Sequence, residues 1–253
     1  MRINLDKRVA VVTGASGELG RVIARTLAQC GADVAVHYLN SKDKAERVCA
    51  EIKQLGRRAI TVQADVTDKK SVFAMRDAVE KGLGRPDIIV NNAVIQYSWT
   101  SVLEQDPADY ESQFKSCVLH NVLMAKAFVP AMVEKKWGRV IGINTECAMQ
   151  NFPSQSAYVA GKRGMDGVLR ILAKEVGAHQ ITVNQVAPGW MISERFRTAG
   201  TERQEAYEKN VPLQRRGTDQ NIADAVAFLA SDLAEFITGA YLPVCGGNVM
   251  PTI

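Results

Sequence analysis

The chain has 253 residues, a formal charge of +4, 47% apolar and 23% charged residues, a balance that argues against disorder and for a packed fold. Its basic residues come as scattered pairs among acids (Arg57 and Arg58, Lys135 and Lys136, Arg215 and Arg216), which argues against the continuous basic stripe of a nucleic-acid binder. Five cysteines without a CxxC pair and three distant histidines suggest neither a disulfide framework nor a zinc site.

At the start, MRINLDKRVAVVTGAS places basic residues before an apolar run that Gly14 and Ser16 end too early for a signal peptide. No uninterrupted apolar stretch reaches spanning length, so a cytoplasmic protein without a membrane partner is expected. Short runs rich in Val, Ile and Ala then recur: 8–13, 33–38, 59–63, 87–91, 139–144, 182–187 and 240–244. Most are nearly continuous rather than alternating, the pattern of strands buried on both faces of a parallel sheet. Between them Ala45, Val48, Cys49 and Ile52, and again Val72, Met75 and Val79, follow helical spacing, with Asp68 and Thr218 as N-caps of the helices after them. The expected fold is α/β, one domain over residues 1–253: a Rossmann-type doubly wound parallel sheet of about seven strands with helices on both faces.

TGASGELG (13–20) joins the first strand to the first helix, where free N–H groups and the helix dipole suit a phosphate. A tight turn alone would read the same way. SAYVAGK (156–162) puts Tyr158 and Lys162 at i and i+4 on one helix face. By itself that pair is an ordinary turn of surface helix.

Together TGASGELG, NNAV (91–94), YVAGK (158–162), APG (187–189) and the segment from PLQRRG to VCGG resemble, in order and spacing, a short-chain dehydrogenase/reductase, particularly the 3-oxoacyl-(acyl carrier protein) reductase-like branch. The resemblance implies that Tyr158 is the general acid, that Lys162 holds the nicotinamide ribose and lowers the tyrosine pKa, and that Thr145, where serine is usual, polarises the carbonyl. It also implies cofactor contacts at Gly14, Ser16, Gly17, Glu18, Leu19, Gly20, Tyr38, Asn40, Ser41, Asp65, Val66, Asn92, Ala93, Tyr158, Lys162, Pro188, Gly189 and Ile192. Homotetramers or homodimers are common in the family, and Gly161, Gly164 and Gly167 would suit close helix contacts between copies.

The chain departs from the family pattern in several places. Glu18 stands where the middle glycine of the turn belongs, an acid that opposes a bound pyrophosphate and predicts weakened cofactor affinity. The family's active-site asparagine falls on Cys117, a poor substitute for an amide, with Asn121 one turn further as a candidate replacement. Val94 and Cys245 replace glycine and aspartate and read as packing changes. HYLNSK (37–42) carries no acid at the end of strand two, which favours NADP(H) with NAD(H) as the alternative; Asp33, at the other end, reads as a solvated turn residue.

Trp99, Phe152, Trp190, Met191 and Phe196 either line an apolar substrate pocket or belong to the core, and 190–210 has the look of a mobile lid. Three functions fit: an NADP(H)-dependent reductase of a ketone or 3-oxoacyl thioester, an NAD-dependent alcohol or polyol dehydrogenase, and a nucleotide-binding relative with weakened catalysis.

Overall fold

The computed structural model describes residues 3–251. The seven strands lie within a residue or two of the expected runs: β1 (Val9–Val12), β2 (Asp33–Tyr38), β3 (Ala59–Gln63), β4 (Ile88–Asn91), β5 (Gly138–Ile143), β6 (Ile181–Pro188) and β7 (Tyr241–Val244). All neighbours pair in parallel, in the order β3-β2-β1-β4-β5-β6-β7. The order reverses between β1 and β4, and a crevice opens at such a switch point beyond the carboxyl ends of the strands.

Ten α-helices occur among the described residues: α1 (Glu18–Gln29), α2 (Lys42–Gln54), α3 (Lys69–Gly82), α4 (Pro107–Gln113), α5 (His120–Lys135), α6 (Cys147–Gln150), α7 (Ser156–Val176), α8 (Glu194–Ala199), α9 (Glu205–Glu208) and α10 (Asp219–Ala230). Asp68 caps α3, accepting from the Ser71 N–H at 2.7 Å, and the Thr218 N–H donates to Asn221 Oδ1 at 2.9 Å at the start of α10. Alternation along β1 sorts the core into two layers. Ala10 and Val12 meet Ile23 and Leu27 of α1 and Ile222 and Val226 of α10, while Val9 and Val11 face the side holding Met75 of α3, Phe128 of α5 and Leu169 of α7. The helical residues predicted for α2 and α3 are all buried in these layers.

Three expectations need correction. The edge strands β3 and β7 are half-exposed, because an outer strand has a neighbour on one side only. Asp33 is buried, not solvated: its carboxylate accepts from the Arg58 N–H at 2.9 Å and from Arg58 Nε at 2.8 Å, and Arg57 lies 3.2 Å away. It clamps the amino end of β2 to the segment entering β3. Third, one continuous helical run, Pro107–Lys135, is long and apolar enough to cross a bilayer by length and composition. More than half of its apolar window is buried inside the fold, as in a core helix. Its centre, Phe114–Leu119, is a π-helical turn between α4 and α5, a feature that often marks a functional site.

Candidate active site

The sequence-predicted site residues collect at the carboxyl edge of the sheet. Gly14, in the turn after β1, has φ +65, and a Cβ there would lie 3.2 Å from the Ala93 backbone. Ser16 lies in the same turn and Gly17 caps α1; Glu18, Leu19 and Gly20 form the first helical residues, whose N–H groups have no carbonyl four residues back. Gly20 packs so closely on the turn that a Cβ would sit 2.2 Å from the Gly14 carbonyl oxygen. Thr13, absent from the expected set, ties this turn to the next strand: its hydroxyl accepts from the N–H groups of Asn92 at 2.8 Å and Ala93 at 3.1 Å.

Tyr38 closes β2, with Asn40 exposed after it and Ser41 capping α2. Asp65 and Val66 follow β3; Asp65 Oδ1 is held by the Thr67 N–H at 2.8 Å and hydroxyl at 2.7 Å. Pro188 ends β6, the Gly189 N–H donates to Val244 O at 3.1 Å, and Ile192 bridges to Thr218. These positions follow the carboxyl ends of the strands, and the first N–H groups of α1, which suit a phosphate, lie among them.

Two buried histidines, which no motif flagged, brace this edge. His37 Nδ1 accepts from the Gly14 N–H at 2.9 Å while Nε2 donates to Ala64 O at 3.0 Å, which fixes the neutral tautomer. His120, on α5, is pushed down to about 3, first by burial and then by His37. Both stay uncharged at neutral pH and hold backbone rather than anions. Opposite them Glu18 shares the α1 N-terminus with Asp219, whose carboxyl burial raises to about 6, and Arg21 pairs with Glu194 of α8.

Thr145 follows β5, and Tyr158 and Lys162 lie one turn apart on α7. The Thr145 hydroxyl accepts from the Cys147 N–H at 3.2 Å, which leaves its own hydrogen for the Tyr158 oxygen. Lys162 Nζ donates to Ile143 O at 2.6 Å and stands 5.7 Å from the Tyr158 ring centre. Asn144 Nδ2 donates to Lys162 O at 3.1 Å and to Gln185 Oε1 at 2.7 Å, locking α7 against β5 and β6. The phenol is not lowered toward neutrality as expected. Burial raises it above its ordinary value, the nearby Cys147 adds to this, and the Thr145 bond only partly offsets the rise. Burial also lowers the Lys162 ammonium.

Asn121 does not reach this group. Its Oδ1 accepts from Asn91 Nδ2 at 2.7 Å and its Nδ2 donates to Cys117 O at 2.6 Å, so the amide is spent between β4 and the π-helical turn. Cys117 itself is buried, its thiol 3.9 Å from Gln113 Oε1. The glycines of α7 have a nearer explanation than contact between copies: a Cβ on Gly161 would lie 2.9 Å from Gln113 O, and one on Gly164 2.8 Å from Val118 Cγ2, while Gly167 faces open space.

Above Tyr158 opens a cleft of about 520 Å³. Trp99, Phe152 and Trp190 are half-exposed on its walls rather than in the core, and Trp99 stacks on Tyr158 with ring centres 5.7 Å apart. Phe196 meets Trp190 edge to face, and Met191 packs against the core below. Sequence reading overlooked Glu146 and Tyr207. The Tyr207 hydroxyl donates to Glu146 Oε1 at 2.8 Å and accepts from the Trp190 N–H at 2.9 Å; Asn248 Nδ2 donates to Glu146 Oε2 at 3.0 Å. The partners are 61 and 102 residues apart in the chain, too far for any motif.

A parallel doubly wound sheet with a glycine turn at its switch point and a hydroxyl–phenol–lysine group beside it defines a dinucleotide-dependent oxidoreductase acting on keto or secondary alcohol groups. The family model described as enoyl-(acyl carrier protein) reductase matches residues 14–248. The chain is 39% identical over 243 residues to the 3-oxoacyl-[acyl-carrier-protein] reductase FabG of Staphylococcus aureus, covering 95% of this chain and 98% of the relative. It is 36% identical over 249 residues to the FabG of Pseudomonas aeruginosa, covering 98% and 100%. Among solved structures, a 7 alpha-hydroxysteroid dehydrogenase complexed with NADH and 7-oxo glycochenodeoxycholic acid superposes with TM-score 0.89 at 29% identity, over 99% of this chain and 97% of the other. The reductase LugOII, which catalyses keto-reduction at C1 during lugdunomycin biosynthesis, does so with TM-score 0.89 at 28% identity, over 98% and 100%. The chain belongs to the short-chain dehydrogenase/reductase family.

Proposed function

We propose that residues 1–253 form one catalytic unit, a cytoplasmic NADP(H)-dependent oxidoreductase that interconverts a ketone or 3-oxoacyl thioester with a secondary alcohol. The observation that carries this reading is the Thr145–Tyr158 hydroxyl pair lining an aromatic cleft, on the same edge of the sheet as the glycine turn before α1. A dihydronicotinamide, when bound, would supply the hydride. Tyr158 would give its proton to the carbonyl oxygen, and the Thr145 hydroxyl, which donates to the Tyr158 oxygen in the free protein, would turn its hydrogen to the same carbonyl oxygen, so charge developing there would meet two donors. Lys162, already desolvated, carries the cation that steadies the phenolate left behind. Gly14, Ser16, Gly17, Leu19 and Gly20 would hold the pyrophosphate, Tyr38, Asn40, Ser41, Asp65 and Val66 the adenosine half, and Asn92, Ala93, Pro188, Gly189 and Ile192 the nicotinamide half. The decisive assay follows binding of NADPH and NADH by nicotinamide fluorescence, then their oxidation against cyclic ketones and 3-oxoacyl esters. A folded protein that ignores both nucleotides would overturn the proposal.

Two variants test the cofactor assignment. Glu18 places a carboxylate at the N-terminus of α1, and a like charge there weighs ~0.3–1 kcal/mol against a bound phosphate. Glu18→Gly is expected to tighten NADPH roughly two- to fivefold in a fluorescence titration; an unchanged Kd would mean the acid points away from the ligand. Asn40 is exposed just beyond β2, where a carboxylate would bind ribose hydroxyls and repel a 2′-phosphate. Asn40→Asp should shift the NADPH-to-NADH ratio of kcat/KM toward NADH by about tenfold, the equivalent of ~1.4 kcal/mol. A parent enzyme that already prefers NADH would favour the NAD-dependent dehydrogenase reading.

We further propose that copies associate as dimers or tetramers. Leu103, 97% exposed, and Phe114, 52% exposed, stand out on the α4 side of the molecule. Light scattering that finds only monomer would dismiss this.

A further inference from the structure

The cleft above Tyr158 has a one-sided chemistry. Its walls are aromatic, from Tyr97, Trp99, Phe152, Trp190 and Tyr207, and its volume of about 520 Å³ suits a small-molecule ligand of several rings. Beside the amide and indole donors of its glutamines and tryptophans, the cleft holds three acceptor groups whose bonding is incomplete. Glu146 is 3% exposed, and its carboxylate accepts from Tyr207 on one oxygen and Asn248 on the other, with the Trp190 N–H as a third donor, which leaves one acceptor site free. Gln150 Oε1, at the end of α6, and Gln155 Oε1, just before α7, are both buried with no donor among the described residues. None of the residues lining the cleft is a lysine, arginine or histidine.

A buried acceptor without a donor is destabilising, so a ligand that brings donors to these oxygens relieves a cost the free protein carries. A ligand that brings carboxylate, phosphate or ester oxygens adds repulsion instead. The cleft is also held in shape by this chemistry: Glu146 pins Tyr207 of α9, and through it the Trp190 backbone, while a Cβ on Gly189 would lie 2.6 Å from the Tyr207 hydroxyl. The carboxylate is therefore a fixed part of the wall rather than a surface group that can swing aside.

We infer that the substrate is a flat ring ketone that carries hydroxyl or amino donors on the edge remote from its carbonyl, and that acyl-carrier thioesters are poor substrates. This rests on the ketoreductase reading and narrows it. The carbonyl sits at Thr145 and Tyr158, the ring lies along Trp99 and Trp190, and the donors reach Gln150, Gln155 and Glu146.

The test compares NADPH oxidation with a hydroxytetralone, its methyl ether, and the acetoacetyl thioester of N-acetylcysteamine. The hydroxylated ketone is expected to exceed its ether in kcat/KM by about tenfold or more, since a site built around hydrogen bonds rejects the analogue that cannot make them. The thioester should be slower than the hydroxylated ketone, and in the Gln150→Met, Gln155→Met double variant the hydroxyl-to-ether ratio should fall toward one. An ether as good as the phenol, or a thioester faster than both, would overturn the inference while leaving the ketoreductase reading intact. If no ketone is reduced, that reading fails instead. Tryptophan quenching in the Tyr158→Phe protein then still decides the inference, which requires tighter binding of the hydroxylated ring than of its ether.

Discussion

Replacing Tyr158 by phenylalanine is expected to lower kcat/KM for carbonyl reduction by about a thousandfold or more, within the ~10²–10⁴ range of a lost general acid, while NADPH binding measured by fluorescence stays within a few fold. The ring stays in place because it is held by packing: Trp99 stacks on it, and the bond at residue 158 from Tyr97 uses the backbone N–H, 2.7 Å from the Tyr97 oxygen, which phenylalanine keeps. What disappears is the one proton aimed into the cleft beside the Thr145 hydroxyl. The pH profile separates this from a packing defect. Burial holds the phenol above its ordinary value, so in the parent it is protonated throughout the neutral range. Reduction, which consumes that proton, should vary little from about pH 6 to about pH 9, whereas alcohol oxidation, which needs the phenolate, should rise with pH. A Tyr158→Phe enzyme with parental rates in both directions would remove the phenol from the chemistry.

The sequence was legible where physics acts locally. Seven apolar runs announced seven parallel strands because both faces of the inner strands are covered, and the spacing of Tyr158 and Lys162 placed them on one face of α7 without reference to the rest of the chain. It was opaque where burial or distant partners decide. Asp33 looked solvated because nothing nearby in sequence shows that Arg57 and Arg58, more than twenty residues later, fold back to cover it. Asn121 shares a helix turn with Cys117, yet a buried amide goes where its donors and acceptors are best met, and those lay on Asn91 and the Cys117 carbonyl rather than at Lys162. Glu146, between Thr145 and Cys147, carried no motif; only the fold brings Tyr207 and Asn248 to it and makes a buried carboxylate tolerable. The tyrosine's environment was misjudged for the same reason. A cation one turn away, together with a nicotinamide ring, was expected to lower the phenol, and in the protein alone desolvation, which no sequence displays, raises it.

Lys162 carries the second large effect. The residue is 4% exposed, burial lowers its pKa, and its ammonium donates to the Ile143 carbonyl. A buried cation without a carboxylate partner is costly, and methionine fills nearly the same volume without charge. Lys162→Met is therefore expected to raise the melting temperature of the ligand-free protein at pH 7 by about 2–4 °C, the shift of ~1 kcal/mol in a domain this size, once the lost bond to Ile143 is set against the removed charge. Because the folded lysine binds its proton more weakly than the unfolded one, the parent gains stability as pH rises toward the alkaline range, and the variant's advantage should shrink there. Over the same substitution the rate of carbonyl reduction should fall by about a hundredfold or more and NADPH should bind more weakly, since the cation that would steady the phenolate and hold the nicotinamide ribose is gone. Stability up with activity down is the signature of a charge kept for function at the expense of the fold. A variant that melts lower and still reduces ketones at the parental rate would mark Lys162 as a structural strut for β5 and nothing more.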